Sequence, residues 1–174
     1  GIENEFLIRA GILSDGFPHY VHLIAENLFW AMFDDERECV IANRDHFKSA
    51  VKGALERTDV EHKSAYRIAT QKTKNTLDYE LALWSLSDRT ETQRQLTSIY
   101  EESYVRIARQ VKGHLTLTKP SLNQRLLNLR KDSHGQVVMG YGSGWFAFRE
   151  NIMRGYVRLV AEDRGVSLAK DLAS

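Results

Sequence analysis

The clearest structural signal in the chain lies at residues 117–158, which read LTKPSLNQRLLNLRKDSHGQVVMGYGSGWFAFRENIMRGYVR. Pro120 is preset for a first helical turn, and Ser121 and Gln124 have the spacing of a capping box, so a helix is predicted to begin near Ser121. Leucines then recur at helical spacing and form one stripe that would face a core: Leu122, Leu126, Leu127 and Leu129.

The opposite face of this predicted helix is polar and basic. Its side chains can donate to phosphates and read base edges in a major groove: Asn123, Gln124, Arg125, Asn128, Arg130 and Lys131. Two β-rich runs, 136–141 and 145–149, follow and are joined by a glycine-containing loop, which predicts a hairpin. Solvated faces of ordinary domains are also rich in Arg and Asn, so this pattern alone leaves both interpretations open.

Two amphipathic helices are predicted before this segment, at 77–86 and 95–112, and another follows the hairpin at 151–159 with its basic residues outward. Three helices, a hairpin and a closing helix make up a winged helix. In that arrangement the amide side chains would face bases, while the basic side chains and the loop serine would contact phosphates. The candidate DNA contacts are Lys119, Ser121, Asn123, Gln124, Arg125, Asn128, Arg130, Lys131, Tyr141 and Ser143. Trp145, across the loop from Tyr141, is expected to pack.

Charge is distributed unevenly along the chain. Residues 119–158 carry seven basic and two acidic side chains, whereas residues 1–60 carry six basic and eleven acidic ones. The formal net charge of +1 therefore hides a polarised molecule. Such asymmetry favours a nucleic-acid face, although the acidic part docking on the basic part, in this chain or a neighbour, would produce the same asymmetry.

Composition bounds the class of protein. The 174 residues are 43% hydrophobic and 27% charged, which is typical of a globular protein of one large or two small domains. The single cysteine, Cys39, excludes an internal disulfide framework, and no apolar run approaches the roughly 18 residues of a membrane span. Without a recognisable signal peptide, we expect a cytoplasmic location and no membrane partner. The start at Gly1 suggests a piece of a longer polypeptide.

The first 112 residues are predicted to be almost wholly helical. Residues 1–58 form a helical bundle, 59–76 a connecting helix, 77–163 the winged-helix domain and 164–174 a frayed tail. The helix opened by Pro18 is apolar nearly all round, so we expect it to be buried. The predicted fold class is mainly α, a helical bundle followed by a winged helix with a small antiparallel hairpin.

A helical bundle that opens with Gly16-Phe17-Pro18-His19, followed by a winged helix, resembles the carboxy-terminal half of AAA+ and STAND-type P-loop ATPases. In that family the Gly-x-Pro element starts the lid helix. The phrase at 40–47, VIANRDHF, looks like the strand-like entry to the last lid helix. The segment 145–157 is similar to the closing part of winged helices in archaeal and bacterial origin-recognition-like ATPases.

The resemblance implies that Gly16, Pro18 and His19 contact nucleotide in a parent protein that binds ATP and Mg²⁺. Many relatives have an arginine in the position of His19, and a neutral imidazole cannot act as an always-charged phosphate clamp. The chain contains no Gly-x-x-x-x-Gly-Lys-Ser/Thr loop. We therefore expect no enzymatic activity and no cofactor in this segment itself, with the P-loop domain lying N-terminal to it.

Two smaller groups of residues do not complete the pattern that a metal or catalytic site requires. His19, His22 and Glu26 share a helix face and could bind a metal, but no further ligand has supporting spacing, so partly buried, hydrogen-bonded histidines are the favoured interpretation. Cys39, or Ser133 with His134, could serve as a nucleophile, but no orienting third group is evident. We predict neither a metal site nor a catalytic residue.

These sequence patterns and the family resemblance lead to two candidate functions. The first is DNA binding through the lid and winged-helix module of a cytoplasmic AAA+/STAND-like ATPase. The alternative is a protein-interaction or regulatory module that controls assembly of that ATPase, with a homo-oligomer as a possible product. The acidic first sixty residues and a hairpin that is apolar on both faces motivate this alternative.

Overall fold

The computed structural model describes residues 1–37, 41–71 and 74–169. This part of the chain is mainly helical and carries a small three-stranded antiparallel sheet, which confirms the coarse fold class. The helices are α1 Asn4–Ser14, α2 Pro18–Phe33, α3 Arg44–Arg57, α4 Val60–Thr70, α5 Thr76–Ser87, α6 Leu96–Ser98, α7 Val105–Ala108, α8 Lys119–Asn128 and α9 Ile152–Asp163. The strands are β1 Arg94–Gln95, β2 Val138–Gly140 and β3 Trp145–Phe148.

Helix α2 begins at Pro18, as the sequence predicts, but it is not buried all round. Only Tyr20, Ile24 and Leu28 are buried along it. Phe29, Trp30 and Phe33 are 61%, 49% and 71% exposed, and their rings contact one another. The prediction of a buried helix is therefore wrong, because an apolar composition does not by itself show that partners cover every face.

Helix α3 has a well-formed N-terminal cap. Asn43 Oδ1 accepts from the amides of Asp45 and His46, and His46 Nδ1 accepts from the amide of Asn43. The buried His46 ring also contacts Asp35 through Nε2 at 2.7 Å. Ahead of this cap, Ala42 forms an isolated parallel bridge with Ile2. Val40, where the strand-like entry was predicted to start, lies outside the described residues.

The centre of the core is α5, in which every residue from Tyr79 to Ser87 is buried. Helices α4, α8 and α9 all pack against it. After β1, the segment 96–108 is helical throughout but contains a π-helical stretch, Ile99–Tyr104, between α6 and α7. The buried Arg94 guanidinium lies beside this stretch and donates to the Ser85 carbonyl at 2.7 Å and to Ser103 Oγ at 2.9 Å. The predicted single helix over 95–112 is therefore shorter and contains this irregular turn.

The sheet has the order β1-β3-β2. Strands β2 and β3 form the predicted hairpin, with Met139 opposite Ala147 in the register. On the other edge of β3, Gln95 of β1 pairs with Trp145. Phe146, Ala147 and Phe148 are all buried, so this strand is covered on both faces.

The carboxy-terminal segment differs from the prediction of a frayed tail. Val166, Leu168 and Ala169 are 4%, 1% and 2% exposed. Arg9 Nη1 donates to the Leu168 carbonyl at 2.7 Å, and the Ala169 amide donates to Asp88 Oδ1 at 2.8 Å. Apolar side chains and satisfied backbone groups hold this segment against the rest of the protein, and residues 170–174 of the predicted tail lie outside the described part of the chain.

One continuous hydrophobic core links the segments that the sequence divides into a bundle, a connecting helix and a second domain. It extends from Phe6 in α1 through Tyr66 in α4 to Val157 in α9. The domain boundaries at 58, 76 and 163 thus stay predictions. Among the described residues, none of the helices combines the length and hydrophobicity needed to cross a membrane.

Candidate nucleic-acid interface

The inner side of α8 is formed by leucines, as the spacing predicts. Leu122, Leu126 and Leu129 are all 0% exposed. They pack into the hydrophobic core around α5. Leu127 is partly buried and packs against the same core. Burying these side chains fixes the rotation of α8 about its own axis, so the polar residues between them face outward or toward the neighbouring helix.

Helix α8 begins two residues earlier than predicted. Thr118 is its N-cap, and the Ser121 amide donates to Thr118 Oγ1 at 3.4 Å. Pro120 thus occupies the second helical position, where its missing N–H costs nothing. The preceding backbone is held by the buried Tyr104, whose hydroxyl accepts from the Leu117 amide at 2.8 Å, and burial raises the pKa of this phenol.

Arg125 is not free to meet a phosphate. Its Nε and Nη2 donate to Asp78 Oδ2 at 3.0 and 2.8 Å, and its guanidinium lies 5.5 Å from the centre of the Tyr79 ring. Asp78 and Tyr79 belong to the first turn of α5 and were not singled out from the sequence. An acidic residue in a first helical turn was a weak signal, because its partner lies 47 positions away.

Asn128 is also engaged within the protein. Its Nδ2 donates to the Tyr79 hydroxyl at 3.0 Å. Its Oδ1 accepts from Gln124 Nε2 at 3.2 Å and from Lys131 Nζ at 2.8 Å. This small network orients Gln124 and Lys131, which are both exposed. It also occupies the Asn128 side-chain amide, which we expected to read a base.

The two ends of α8 differ in the availability of their charges. At the start, Lys119 Nζ pairs with Glu101 at 3.0 Å, so a carboxylate stands beside this charge. Past the end, the exposed Arg130 guanidinium lies over Gly140 of β2, so closely that a Cβ built there would be 2.7 Å from its Cζ. Glycine at 140 therefore makes room for Arg130 between α8 and the hairpin.

The hairpin tip is open to solvent. Gly142 and Gly144 have φ of 81° and 77°, a conformation that side chains disfavour, and the exposed Ser143 lies between them. Tyr141 and Trp145 flank the tip and are 45% and 40% exposed. The expectation that Trp145 is packed is thus only partly met. Of the remaining candidates, Ser121 and Asn123 are half-buried.

The arginines of α9 point inward, contrary to prediction. Arg154 donates to both carboxylate oxygens of Asp15, at 2.6 and 2.9 Å. Arg158 is 1% exposed and donates to Asp15 Oδ1 at 3.0 Å and to the Ser87 and Ile12 carbonyls at 2.8 and 2.7 Å. Burial lowers the pKa of Arg158 to about 10, which the Asp15 carboxylate opposes. The Arg158 guanidinium thus binds backbone carbonyls at the carboxy-terminal ends of α1 and α5.

These contacts reduce the positive charge that residues 119–158 present to a ligand. Of the seven basic side chains, Lys119, Arg125, Arg154 and Arg158 pair with carboxylates of other elements. Within the described residues, Arg130, Lys131 and Arg149 form no ion pair. They share the surface with Asp132 and Glu150, so the accessible face is only mildly basic.

The residues that the family resemblance assigns to nucleotide lie elsewhere, at the start of α2. Gly16 adopts a φ of 78°, Pro18 is the first helical residue, and Pro18 and His19 are both exposed. They are accessible, and their contact with nucleotide stays a prediction. His22 is also exposed, and Glu26 pairs with Arg57. The prediction that the histidines of this helix face are partly buried is therefore wrong.

The described residues contain no cluster of three or more side chains suited to a metal ion. Ser133 Oγ and His134 Nδ1 are 2.9 Å apart, but His134 is buried against the Tyr79 ring at 4.7 Å between centroids, which restricts access to it. Cys39, the other candidate nucleophile, lies outside the described residues.

Comparison of the chain with protein-family models, with curated proteins and with solved structures gives no match in any of the three.

Proposed function

We propose that residues 77–163 form a winged helix and that the chain is the lid and winged-helix part of a cytoplasmic AAA+/STAND-like P-loop ATPase, binding duplex DNA through α8 and the hairpin. The winged-helix assignment is supported by the order of elements: α5, β1, the helical segment 96–108, α8, then β2 and β3. ATP hydrolysis would belong to a P-loop domain N-terminal to this segment, with Gly16, Pro18 and His19 reaching its nucleotide.

One observation carries the DNA-binding proposal: α8 buries Leu122 and Leu126 completely, while polar and basic side chains on its other side and just past its end stay at the surface near the hairpin. Leu126 is 0% exposed, whereas Gln124 and Lys131 are exposed. A helix of this kind, supported from behind and flanked by a β-ribbon, can lie in a major groove of about 12 Å width.

The contacts within the protein assign different roles to the candidate residues. Asn123 and Gln124 would face base edges, and Tyr141 would lie at the sugar–phosphate edge of the duplex. The phosphate contacts would come from Arg130, Lys131 and Ser143. Lys119, Arg125 and Asn128 would instead hold α8 in place through Glu101, Asp78 and Tyr79.

Few free charges predict weak, moderately salt-dependent binding. With two or three phosphates neutralised at about 0.9 units of slope each, log affinity should fall against log salt with a slope of roughly −2 to −3. Between about 50 and 200 mM salt, the affinity for random-sequence duplex should therefore fall roughly 15- to 60-fold. Fluorescence anisotropy of a labelled duplex measures this slope directly.

A matched pair of variants locates the binding face. Arg130→Glu/Lys131→Glu should abolish measurable binding, since it reverses the free charges at the end of α8. Lys48→Glu/Lys52→Glu makes the same change in total charge on exposed residues of α3 and should leave binding within about twofold. A slope near zero, or equal losses for both variants, would contradict the proposal.

A second candidate function, control of ATPase assembly, is favoured by the aromatic patch of Phe29, Trp30 and Phe33 on α2. Contiguous exposed aromatic groups are typical of protein–protein contacts. Light scattering of the parent ATPase tests it: Phe29→Ser/Phe33→Ser should lower the assembled mass. If Phe29→Ser/Phe33→Ser leaves the assembled mass unchanged and Arg130→Glu/Lys131→Glu alters it, α2 has no role in assembly.

A further inference from the structure

A groove of about 990 Å³ lies between α1 and α3, on the side of the molecule where both helices pack against α9. We call it the α1–α3 groove, after the helices that supply most of its lining. Its far wall is formed by the end of α9 and the residues after it, 162–165 and 167. None of the residues proposed above to contact DNA or nucleotide lines it.

The floor of the groove is apolar and spans both helices. Phe6 of α1 and Phe47 of α3 stack with their ring centres 5.2 Å apart. Ile12 and Val51 continue this surface, and the four floor side chains are 1–9% exposed, whereas Ile8 stands 47% exposed at its edge. The apolar surface that a ligand can cover is therefore Ile8 together with the exposed edges of the floor, and covering it favours apolar side chains on the ligand.

The α3 side of the groove carries a regular row of positive charge. Arg44, Lys48 and Lys52 recur at i, i+4 and i+8, so they share one helix face and extend over about 12 Å. All three are exposed, and across residues 1–37, 41–71 and 74–169 none of them forms an ion pair. This row is thus available to meet carboxylates.

The other ionisable side chains of the groove add no second basic row. Arg9 is paired with Glu162, and Arg164 with Glu80. Glu5 and Asp163 also line the groove, from α1 and the end of α9. The charge is therefore polarised across the groove, positive along α3 and acidic on the facing elements.

We propose that the α1–α3 groove binds an amphipathic helix of a partner protein, with its apolar face on the Phe6–Phe47 floor and an acidic flank along the α3 row. Helices lie in grooves by placing apolar side chains at i, i+3, i+4 and i+7, a spacing that also puts carboxylates at i and i+4 on one flank. Duplex DNA would meet the same charges but would leave the exposed Ile8 side chain uncovered.

The test uses labelled 18-residue helical peptides and fluorescence anisotropy with the full chain. The probe carries a leucine stripe flanked on one side by glutamates. One control peptide replaces the glutamates with lysines, and the other replaces the leucines with serines. Only the probe should bind, and a labelled random duplex should not compete for the groove at the same salt concentration.

Three variants locate the binding. Lys48→Glu/Lys52→Glu should weaken the probe on the order of tenfold, and Ile8→Ser about fivefold through lost apolar contact. Both change exposed side chains, so the fold is expected to persist, which circular dichroism checks. Arg130→Glu/Lys131→Glu should leave probe binding unchanged.

Several outcomes would overturn the inference. Failure of the probe to bind at millimolar concentration, equal binding of the serine-substituted peptide, or insensitivity to Ile8→Ser would each exclude the groove as a helix site. Loss of duplex binding, rather than probe binding, in Lys48→Glu/Lys52→Glu would assign the α3 row to nucleic acid. DNA binding at α8 stands or falls independently of this assay.

Discussion

Helices α8 and α9 look alike in sequence, since both are short, amphipathic and followed or interrupted by arginines, but the fold uses their charges in opposite ways. Past the end of α8, Arg130 and Lys131 remain at the surface. In α9, Arg154 and Arg158 are 9% and 1% exposed and hold Asp15 between them. A basic helix is therefore evidence of a nucleic-acid face only once its carboxylate partners are known.

The difference arises from what each helix meets. Helix α9 faces the ends of α1 and α5, where the Ile12 and Ser87 carbonyl oxygens accept from the Arg158 guanidinium. The five donors of an arginine can serve several carbonyls at once, and the partial negative charge at a helix carboxy-terminus favours a cation there. Past the end of α8, Arg130 lies over Gly140 of the hairpin and stays exposed.

The sharpest way to break this comparison is to remove the shared carboxylate. Asp15→Asn should destabilise the protein by about 3–5 kcal/mol, because Arg154 and Arg158 would be left buried without a counter-charge. Asp34→Asn, at an exposed aspartate just after α2, should change stability by less than about 0.5 kcal/mol. Urea unfolding measures both, and similar midpoints for the two variants would show that Asp15 does not stabilise α9.

A smaller loss of stability should follow from adding a side chain where α9 and α2 approach each other closely. A Cβ at Gly155 would lie 2.8 Å from the Tyr20 ring, so Gly155→Ala should destabilise by about 1–3 kcal/mol. Gly11 of α1 has open space around it, and Gly11→Ala should instead stabilise by about 0.4–1 kcal/mol. Thermal unfolding compares them, and equal shifts would argue against tight α9 packing.

A further expected effect is a loss of stability in alkaline solution. Burial raises the pKa of Tyr20, Tyr66, Tyr104 and Tyr156 above the ordinary value of 10.0. Above about pH 10 the unfolded chain loses these protons and the folded chain keeps them, so the free energy of unfolding should fall as the pH rises.

Two buried arginines oppose this trend. Burial lowers the pKa of Arg94 and of Arg158, so the folded state releases their protons first and gains stability between the folded and unfolded values. Four tyrosines outnumber them, and the net slope should stay negative. Tyr156→Phe should reduce the slope, and urea midpoints that do not fall between about pH 9 and 11 would contradict this balance.

Local sequence patterns predicted the elements well. The leucine spacing of α8, the hairpin and the span of α2 from Pro18 to Phe33 all follow from periodicity and turn chemistry. These features depend on residues close in sequence, so a single chain suffices to recognise them.

The same reasoning could not predict which charges are free. Asp15 and Arg154 are 139 positions apart, and Asp78 and Arg125 are 47 apart. No local spacing marks such pairs. The burial expected of Phe33 failed for a related reason, since hydrophobicity shows a preference for burial and not the presence of a covering partner.

The most direct test of the proposed DNA interface is a map of backbone amide chemical shifts during titration with a random-sequence duplex. If α8 and the hairpin bind the duplex, changes should concentrate in residues 119–131 and 140–145 and leave Arg154 and Arg158 of α9 unaffected. Changes confined to residues 44–52, or none at duplex concentrations near a millimolar, would contradict the proposed interface.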